Sequence, residues 1–212
     1  MLLRLAAMRV DIRFWTAIAM MGICGFSVAR GWSIVHFSLA MVNIDSLKNR
    51  AQITHAWSAV PGVASRALQT ELRDKIDPSD LKAANSRRET LSTILSIKPL
   101  SSFEWLSLSG MQLVTDQPME QVLGSLQLSV LTGPNEGSVM AERGIFAVSL
   151  WEDLSPEFKS RAAIDLTAGE IPERGKLRAV LSTKPERVRN ELRAAILATG
   201  LTSKEVERRL GF

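Results

Sequence analysis

The sequence predicts an all-α protein in which one N-terminal transmembrane helix precedes an array of helical hairpins. Apolar residues recur three and four positions apart through most of the chain after residue 60, which is typical of amphipathic helices. The β-branched and aromatic residues form no alternating runs, and the chain has no tyrosine, which argues against a large sheet. Proline and glycine signals separate the periodic segments. A length of 212 residues allows one or two domains.

The charge of the chain is unevenly distributed. The formal net charge is +4, yet the first 30 residues hold Arg4, Arg9, Arg13 and Arg30 against Asp11 alone. The rest of the chain carries 22 basic and 21 acidic residues. Because the body is nearly neutral, the basic excess does not by itself indicate a nucleic-acid partner.

Residues 1–44 are predicted to be a membrane anchor or a signal segment. Phe14–Ala29 is a run of sixteen uncharged residues, and the apolar sequence resumes after Arg30 to reach the roughly 20 residues that a spanning helix needs. Arg9 and Arg13 favour a cytoplasmic N-terminus. The body would then be periplasmic, on the inner membrane of a Gram-negative bacterium.

A cleaved signal peptide is the alternative for this segment. Ser27–Ala29 has the small-x-small pattern of a cleavage site, and Met8 offers a second possible start. A retained anchor is preferred because Trp32–Val42 continues apolar. The lone cysteine, Cys24, follows Ile23 rather than a small residue, which disfavours a lipoprotein.

Residues 45–170 are predicted to form the helical-hairpin domain. Ser79 or Asp80 is a candidate N-cap for one helix and Ser155 for another, while Thr132–Pro134 ends one helix and starts the next. The predicted helices cover residues 45–57, 63–76, 81–98, 103–114, 118–131, 134–150 and 156–166.

Gly110 and Arg143 break the pattern of their predicted helices. A mid-helix glycine costs about 1 kcal/mol relative to alanine, so Gly110 predicts a close helix crossing. Arg143 falls four residues after Val139 on an apolar face. We interpret it as structural, with its stem over the core and its guanidinium on a carboxylate or a helix-end carbonyl; a ligand anchor is the alternative. Its candidate partners are Glu104, Glu120 and Glu136.

Residues 171–212 are predicted to be a basic helical hairpin, with 10 basic and 5 acidic residues. A helix over 186–199 ends at Gly200, and Thr202 with Glu205 forms a capping box for the last helix. This tail also has the outline of a helix-turn-helix, which makes a DNA-binding regulator an alternative function. Because an exported body does not meet DNA, we prefer a hairpin packed on the core and expect no nucleic-acid partner.

Two helix pairs, starting at Phe103 and Pro134, begin about one 34-residue unit apart, and Trp105 and Leu108 match the opening positions of the tetratricopeptide repeat. The stretch therefore resembles a degenerate tetratricopeptide-like array over about a third of the chain. It departs from the repeat at Ser109 and Gln112. The resemblance implies stacked helix pairs.

The order of features also resembles membrane-anchored accessory proteins of bacterial exopolysaccharide and O-antigen gene clusters. The residues that carry this resemblance are Pro99–Trp105, Leu131–Glu136 and the stretch from Arg143 through Trp151 to Pro156. It implies an accessory role in envelope polysaccharide synthesis or export, with the membrane and other envelope-assembly proteins as partners. It brings no catalytic motif.

The sequence shows no catalytic, phosphate-binding or dinucleotide-binding motif. His36 and His55 lack metal-ligand spacing, and Glu152–Asp153 is interpreted as a solvated turn. We therefore predict a non-enzymatic scaffold without cofactor or metal, a small polysaccharide-modifying hydrolase being the third hypothesis. The structural or interaction candidates are Trp105, Gly110, Glu136, Arg143 and Trp151.

Overall fold

The computed structural model describes residues 2–42, 56–57, 59–60, 63–72, 80–168 and 174–210. All regular structure in these ranges is helical, which confirms the predicted all-α class. The chain divides into two compact units, Met1–Lys75 and Ile76–Phe212. This division differs from the predicted boundaries after residues 44 and 170, since the C-terminal helices share a unit with the central ones.

The first unit contains α1, Leu2–Val42, and α2, Ala64–Glu71. Within α1, the 24 residues Trp15–Ser38 are long and apolar enough to span a membrane or to serve as a signal sequence. Near the end of this stretch, Phe37 is buried against Val63 and Ala67 of the same unit, and its ring centroid lies 5.9 Å from that of Trp57. A helix predicted over residues 45–57 falls mostly outside the described residues.

The second unit is built from eight α-helices over its described residues, with a short 3-10 helix at Trp151–Asp153 between the fourth and the fifth. In chain order they are α3 Leu81–Ile97, α4 Ser102–Val114, α5 Met119–Thr132, α6 Gly137–Ser149, α7 Pro156–Thr167, α8 Arg174–Ser182, α9 Glu186–Leu197 and α10 Ser203–Leu210.

The start of α6 differs from its predicted position at Pro134. Gly133 follows α5 as its C-cap, and the helix begins only after Glu136. The carbonyls of Gly133 and Pro134 accept hydrogen bonds from Arg143 and Arg161. The Gly133 carbonyl also accepts from the Glu136 amide at 3.5 Å, so a turn precedes the first residue of α6.

Local capping signals place several helix starts as predicted. Asp80 Oδ1 accepts from the Ala83 amide at 3.0 Å, and Ser155 Oγ accepts from the Phe158 amide at 3.3 Å. At α10 the capping box is complete, since the Thr202 amide donates to Glu205 Oε2 at 2.8 Å and the Glu205 amide donates to Thr202 Oγ1 at 3.3 Å. Ser101 precedes α4, but its hydroxyl accepts no capping bond from a backbone amide of that helix.

Packing in the second unit joins neighbouring helices and also helices two positions apart. The helix pairs α3–α4, α4–α5 and α6–α7 contact along the chain, while α4–α6, α6–α8 and α7–α9 contact across it. One hydrophobic cluster includes Trp151, Leu126 and Leu166 together with Leu192 and Ile196 of α9. The C-terminal hairpin therefore packs on the core, as predicted.

Candidate functional site

Alternate helices of the second unit line an open apolar groove of about 330 Å³. Its walls come from α4, α6 and α8, and α6 contacts each of the other two helices across the chain. Phe103 is 50% exposed at one wall, and Leu106 is buried beneath it. The other lining residues are Ser107, Glu142, Ile145, Phe146, Ser149, Lys176 and Val180.

The residues of α6 that line the groove differ in burial from their neighbours in the same helix. Glu142, Ile145, Phe146 and Ser149 follow the i, i+3, i+4, i+7 spacing of one helix face and line the groove. Arg143 of the same helix is fully buried. Part of α6 is thus fixed in the core while the face that lines the groove remains open beside α4 and α8.

The rim of the groove carries two opposite charges. Glu142 is an exposed residue of α6, and Lys176 is an exposed residue of α8. Between them the lining is mainly aliphatic and aromatic. Such a surface suits an apolar ligand whose orientation is fixed by a few polar contacts at its edge.

Arg143 is fully buried behind the groove, which confirms its structural interpretation. Its Nε donates to Asp165 Oδ2 at 2.6 Å and its Nη2 to Asp165 Oδ1 at 3.1 Å. Its Nη1 donates to the carbonyls of Ser129 at 2.9 Å and Gly133 at 3.2 Å. The guanidinium thus joins α6 to α7 and to the end of α5.

The predicted partners of Arg143 are wrong. Glu104 accepts from Ser101, Glu136 accepts from Ser102, and Glu120 is exposed. Asp165 takes the role because α7 packs directly on α6. Sequence reasoning missed this aspartate, although it stands between Ala162 and Leu166 on the same apolar face of its helix and breaks that face as Arg143 breaks its own.

Arg161 gives Asp165 a second cationic partner. Its Nε donates to Asp165 Oδ1 at 2.9 Å, one helical turn away, and its guanidinium also reaches the Pro134 carbonyl. A carboxylate whose side chain is 1% exposed therefore lies between two guanidinium groups. This arrangement satisfies the buried charge with bidentate, charge-assisted bonds.

The prediction for Gly110 is wrong, because a Cβ at that position would meet nothing within 4 Å. The close approaches lie at other glycines. A Cβ on Gly144 would stand 2.8 Å from Leu166 Cγ, and one on Gly133 would stand 2.6 Å from Ser102 Cβ. A glycine's place in its own helix does not reveal which neighbour crosses there.

The two tryptophan candidates have separate structural roles. Trp105 is partly buried and its Nε1 donates to the Pro99 carbonyl at 2.8 Å. Trp151 is 1% exposed; its Nε1 donates to Glu191 Oε2 at 3.1 Å, and Lys159 Nζ lies 5.5 Å from its ring centroid. The five predicted candidates therefore do not converge on one site.

Glu191 of α9 is held in its charged form by the groups around it. The indole N–H of Trp151 lowers the pKa of the Glu191 carboxyl, and hydrogen bonds from Arg187 and Lys159 lower it further. The Lys159 contact measures 3.3 Å and the Arg187 contact 2.6 Å. This carboxylate joins α7, α9 and the 3-10 helix at Trp151.

Within the residues that the structure describes, no three His, Cys, Asp or Glu side chains come together as metal ligands. His36 packs its ring 4.7 Å from that of Trp32 on α1, and His55 lies outside the described residues. In α10, Val206 is buried while Lys204 and Glu207 are exposed with opposite charges. DNA binding by this hairpin stays the alternative hypothesis, and the expectation of no nucleic-acid partner stays a prediction.

No protein-family model, curated protein or solved structure matches this chain. The tetratricopeptide-like arrangement and the accessory role in polysaccharide assembly therefore remain predictions, and the function has to be argued from the groove.

Proposed function

We propose that this protein is a non-enzymatic, membrane-anchored scaffold whose groove binds an amphipathic helical segment of a partner protein. The observation that carries the proposal is the open apolar surface along α4, α6 and α8, with Phe103 half exposed. Stacked helix pairs, as in solenoid proteins, use the concave surface formed by alternate helices to bind other chains. We also propose that the helix pairs of this unit stack as they do in tetratricopeptide repeats.

The charges at the rim specify the occupant further. An amphipathic helix places apolar anchors at i, i+3 and i+4 into a hydrophobic groove. Glu142, the acidic residue of the rim, then favours a basic residue at the edge of that helix. The partner segment is thus apolar on one face with a basic residue flanking its anchors.

The anchor and the gene-cluster resemblance suggest where this scaffold acts. The apolar stretch Trp15–Ser38 supports attachment to a membrane, and we propose that the body is periplasmic and serves envelope polysaccharide synthesis or export. A reporter enzyme fused after Phe212 tests the topology. Activity found only for a cytoplasmic reporter would eliminate the periplasmic assignment.

Site-specific cross-linking tests the groove. A photoreactive amino acid in place of Phe103 is expected to cross-link a partner through a segment with the stated pattern. A synthetic peptide of that segment should bind the full chain, and Ile145→Glu or Glu142→Lys should weaken its binding at least about tenfold. A charge-reversed peptide should recover affinity for the Glu142→Lys protein.

Leu131→Glu is the matched control, because this leucine of α5 is 67% exposed and lies outside the groove. Its peptide affinity should equal that of the unmodified protein. Equal affinity of the Glu142→Lys protein for both peptides would contradict the proposed charge pairing, and full binding by Ile145→Glu would contradict the groove.

A further inference from the structure

A second cleft lies in the unit that contains the groove, between α3, α4 and the start of α5. Its volume is about 470 Å³. In contrast to the groove, its lining is polar apart from Leu108. Amide, hydroxyl and oppositely charged side chains surround this leucine, among them Arg88, Glu89, Ser92, Gln112, Gln117 and Gln121.

Gln112 has an unsatisfied atom at this cleft. Its Oε1 is the one buried side-chain oxygen or nitrogen without a hydrogen-bond partner in the part of the chain that the structure describes. An unpaired buried acceptor is destabilising, and such atoms are rare in folded proteins. Gln112 also lines the cleft, and because the terminal torsion of glutamine is soft, rotation of its amide can bring this oxygen to a donor bound there.

Other groups in the cleft also have free acceptor capacity. The hydroxyls of Ser92 and Thr93 donate to the carbonyls of Arg88 and Glu89, each at 3.0 Å. A hydroxyl that has donated its proton still has lone pairs to offer. Gln117 likewise donates its Nε2 to the Thr115 carbonyl at 3.1 Å, which leaves its amide oxygen as an acceptor.

An acceptor-rich cleft favours a ligand that brings many donors. A sugar carries a hydroxyl donor on most of its carbons, whereas a peptide backbone brings one N–H per residue. A peptide would also need pockets for its side chains, and Leu108 is the one apolar residue in this lining. The adjacent charges of Arg88 and Glu89 oppose each other, which favours a neutral ligand.

We propose that this cleft binds a neutral oligosaccharide, whose hydroxyls donate to Gln112, Gln117, Ser92 and Thr93. The inference goes beyond the scaffold function and does not depend on the groove, since none of the cleft residues lines the groove.

Calorimetric titration of the full chain with maltotriose and triacetylchitotriose tests the proposal, with trialanine as the peptide probe. The detergent must be zwitterionic, because a sugar headgroup would compete for the cleft. At least one trisaccharide should bind, and trialanine should not. Gln112→Met keeps the side-chain length and removes the amide, so it should weaken binding at least about tenfold. Its unfolding temperature should be equal or higher, since the unpaired acceptor is gone.

Gln121→Ala provides a second variant that does not endanger the fold, because Gln121 is exposed at the edge of the cleft; it too should weaken binding. Gln127→Met is the matched control on an exposed position of α5 outside the cleft, and it should bind as the unmodified protein does. The proposal is overturned if neither trisaccharide binds, if both cleft variants bind with full affinity, or if trialanine binds in a Gln112-dependent manner.

Discussion

Arg143 and Asp165 stand twenty-two residues apart in the chain and form a two-point ion pair in the interior of the second unit. Both side chains are 1% exposed. Arg143 also bonds the last carbonyls of α5, so one guanidinium fixes α5, α6 and α7 relative to one another. The pair thereby sets the orientation of α6, and with it the position of the residues of α6 that line the groove.

Asp165→Ala is expected to destabilise the second unit by about 3–5 kcal/mol, because it leaves buried guanidinium charge without a carboxylate. Urea unfolding followed by circular dichroism measures this loss. Glu152→Gln serves as the control, since its pair with Arg187 is exposed on both sides and should contribute little.

The double variant Arg143→Met, Asp165→Leu is expected to lose less stability than the sum of the two single changes. Replacing both buried charges by apolar side chains removes the cost of leaving one of them unpaired. Additive losses in the same unfolding experiment would show that the two residues stabilise the fold independently.

Gly144→Ala is expected to destabilise the protein by about 1–3 kcal/mol through overpacking. The added methyl group would lie 2.8 Å from Leu166 Cγ and 3.1 Å from its backbone nitrogen. Gly110→Ala is the matched change in a helix with open space around it, and should stabilise by up to about 1 kcal/mol. Equal effects of the two changes on thermal unfolding would contradict the close α6–α7 contact.

Glu191→Gln is expected to make the free energy of unfolding depend less on pH at acidic pH. The folded-state pKa of Glu191 lies below its ordinary value of 4.5. Its carboxylate therefore stabilises the fold above that pH, and the contribution is lost as the pH falls through the folded-state pKa. Urea unfolding between pH 6 and roughly pH 3 measures the slope. Glu207→Gln, at an exposed position of α10, should leave the profile unchanged.

Thr202→Ala is expected to cost about 0.5–2 kcal/mol, because it removes the side-chain half of the capping box of α10. The amide of Glu205 would lose its acceptor. Hydrogen exchange of the α10 amides measures the local loosening. Ser203→Ala, next to it and exposed, is the control and should leave these exchange rates as they are.

The sequence predicted features that depend on nearby residues and missed those that depend on which helices meet. The N-caps at Asp80 and Ser155 involve partners three positions away, so spacing alone revealed them. The partner of Arg143 could not be read in this way, because Asp165 becomes its neighbour only when α7 folds onto α6.

The sequence did not predict the groove for a similar reason. Phe103 and Ile145 have the apolar character and spacing of core residues, and they belong to different predicted helix pairs. They line one surface because α4 and α6 lie side by side across the chain. The prediction of a close helix crossing at Gly110 was wrong for the same reason, since the space around a glycine depends on which other helix packs there.

The packing of Phe37 shortens the part of α1 that is free to face lipid. Phe37 is 3% exposed and Ile34 packs beside it, so protein covers one face of the end of the apolar stretch. The remaining portion from Trp15 to Trp32, at 1.5 Å per residue, spans roughly 27 Å, close to the hydrocarbon thickness of about 30 Å. The two tryptophans would then mark the two membrane surfaces. Cleavage after Ala29 would still leave Ile34 and Phe37 in the mature chain. The small cluster around Phe37 is therefore compatible with a retained anchor and with a cleaved signal peptide.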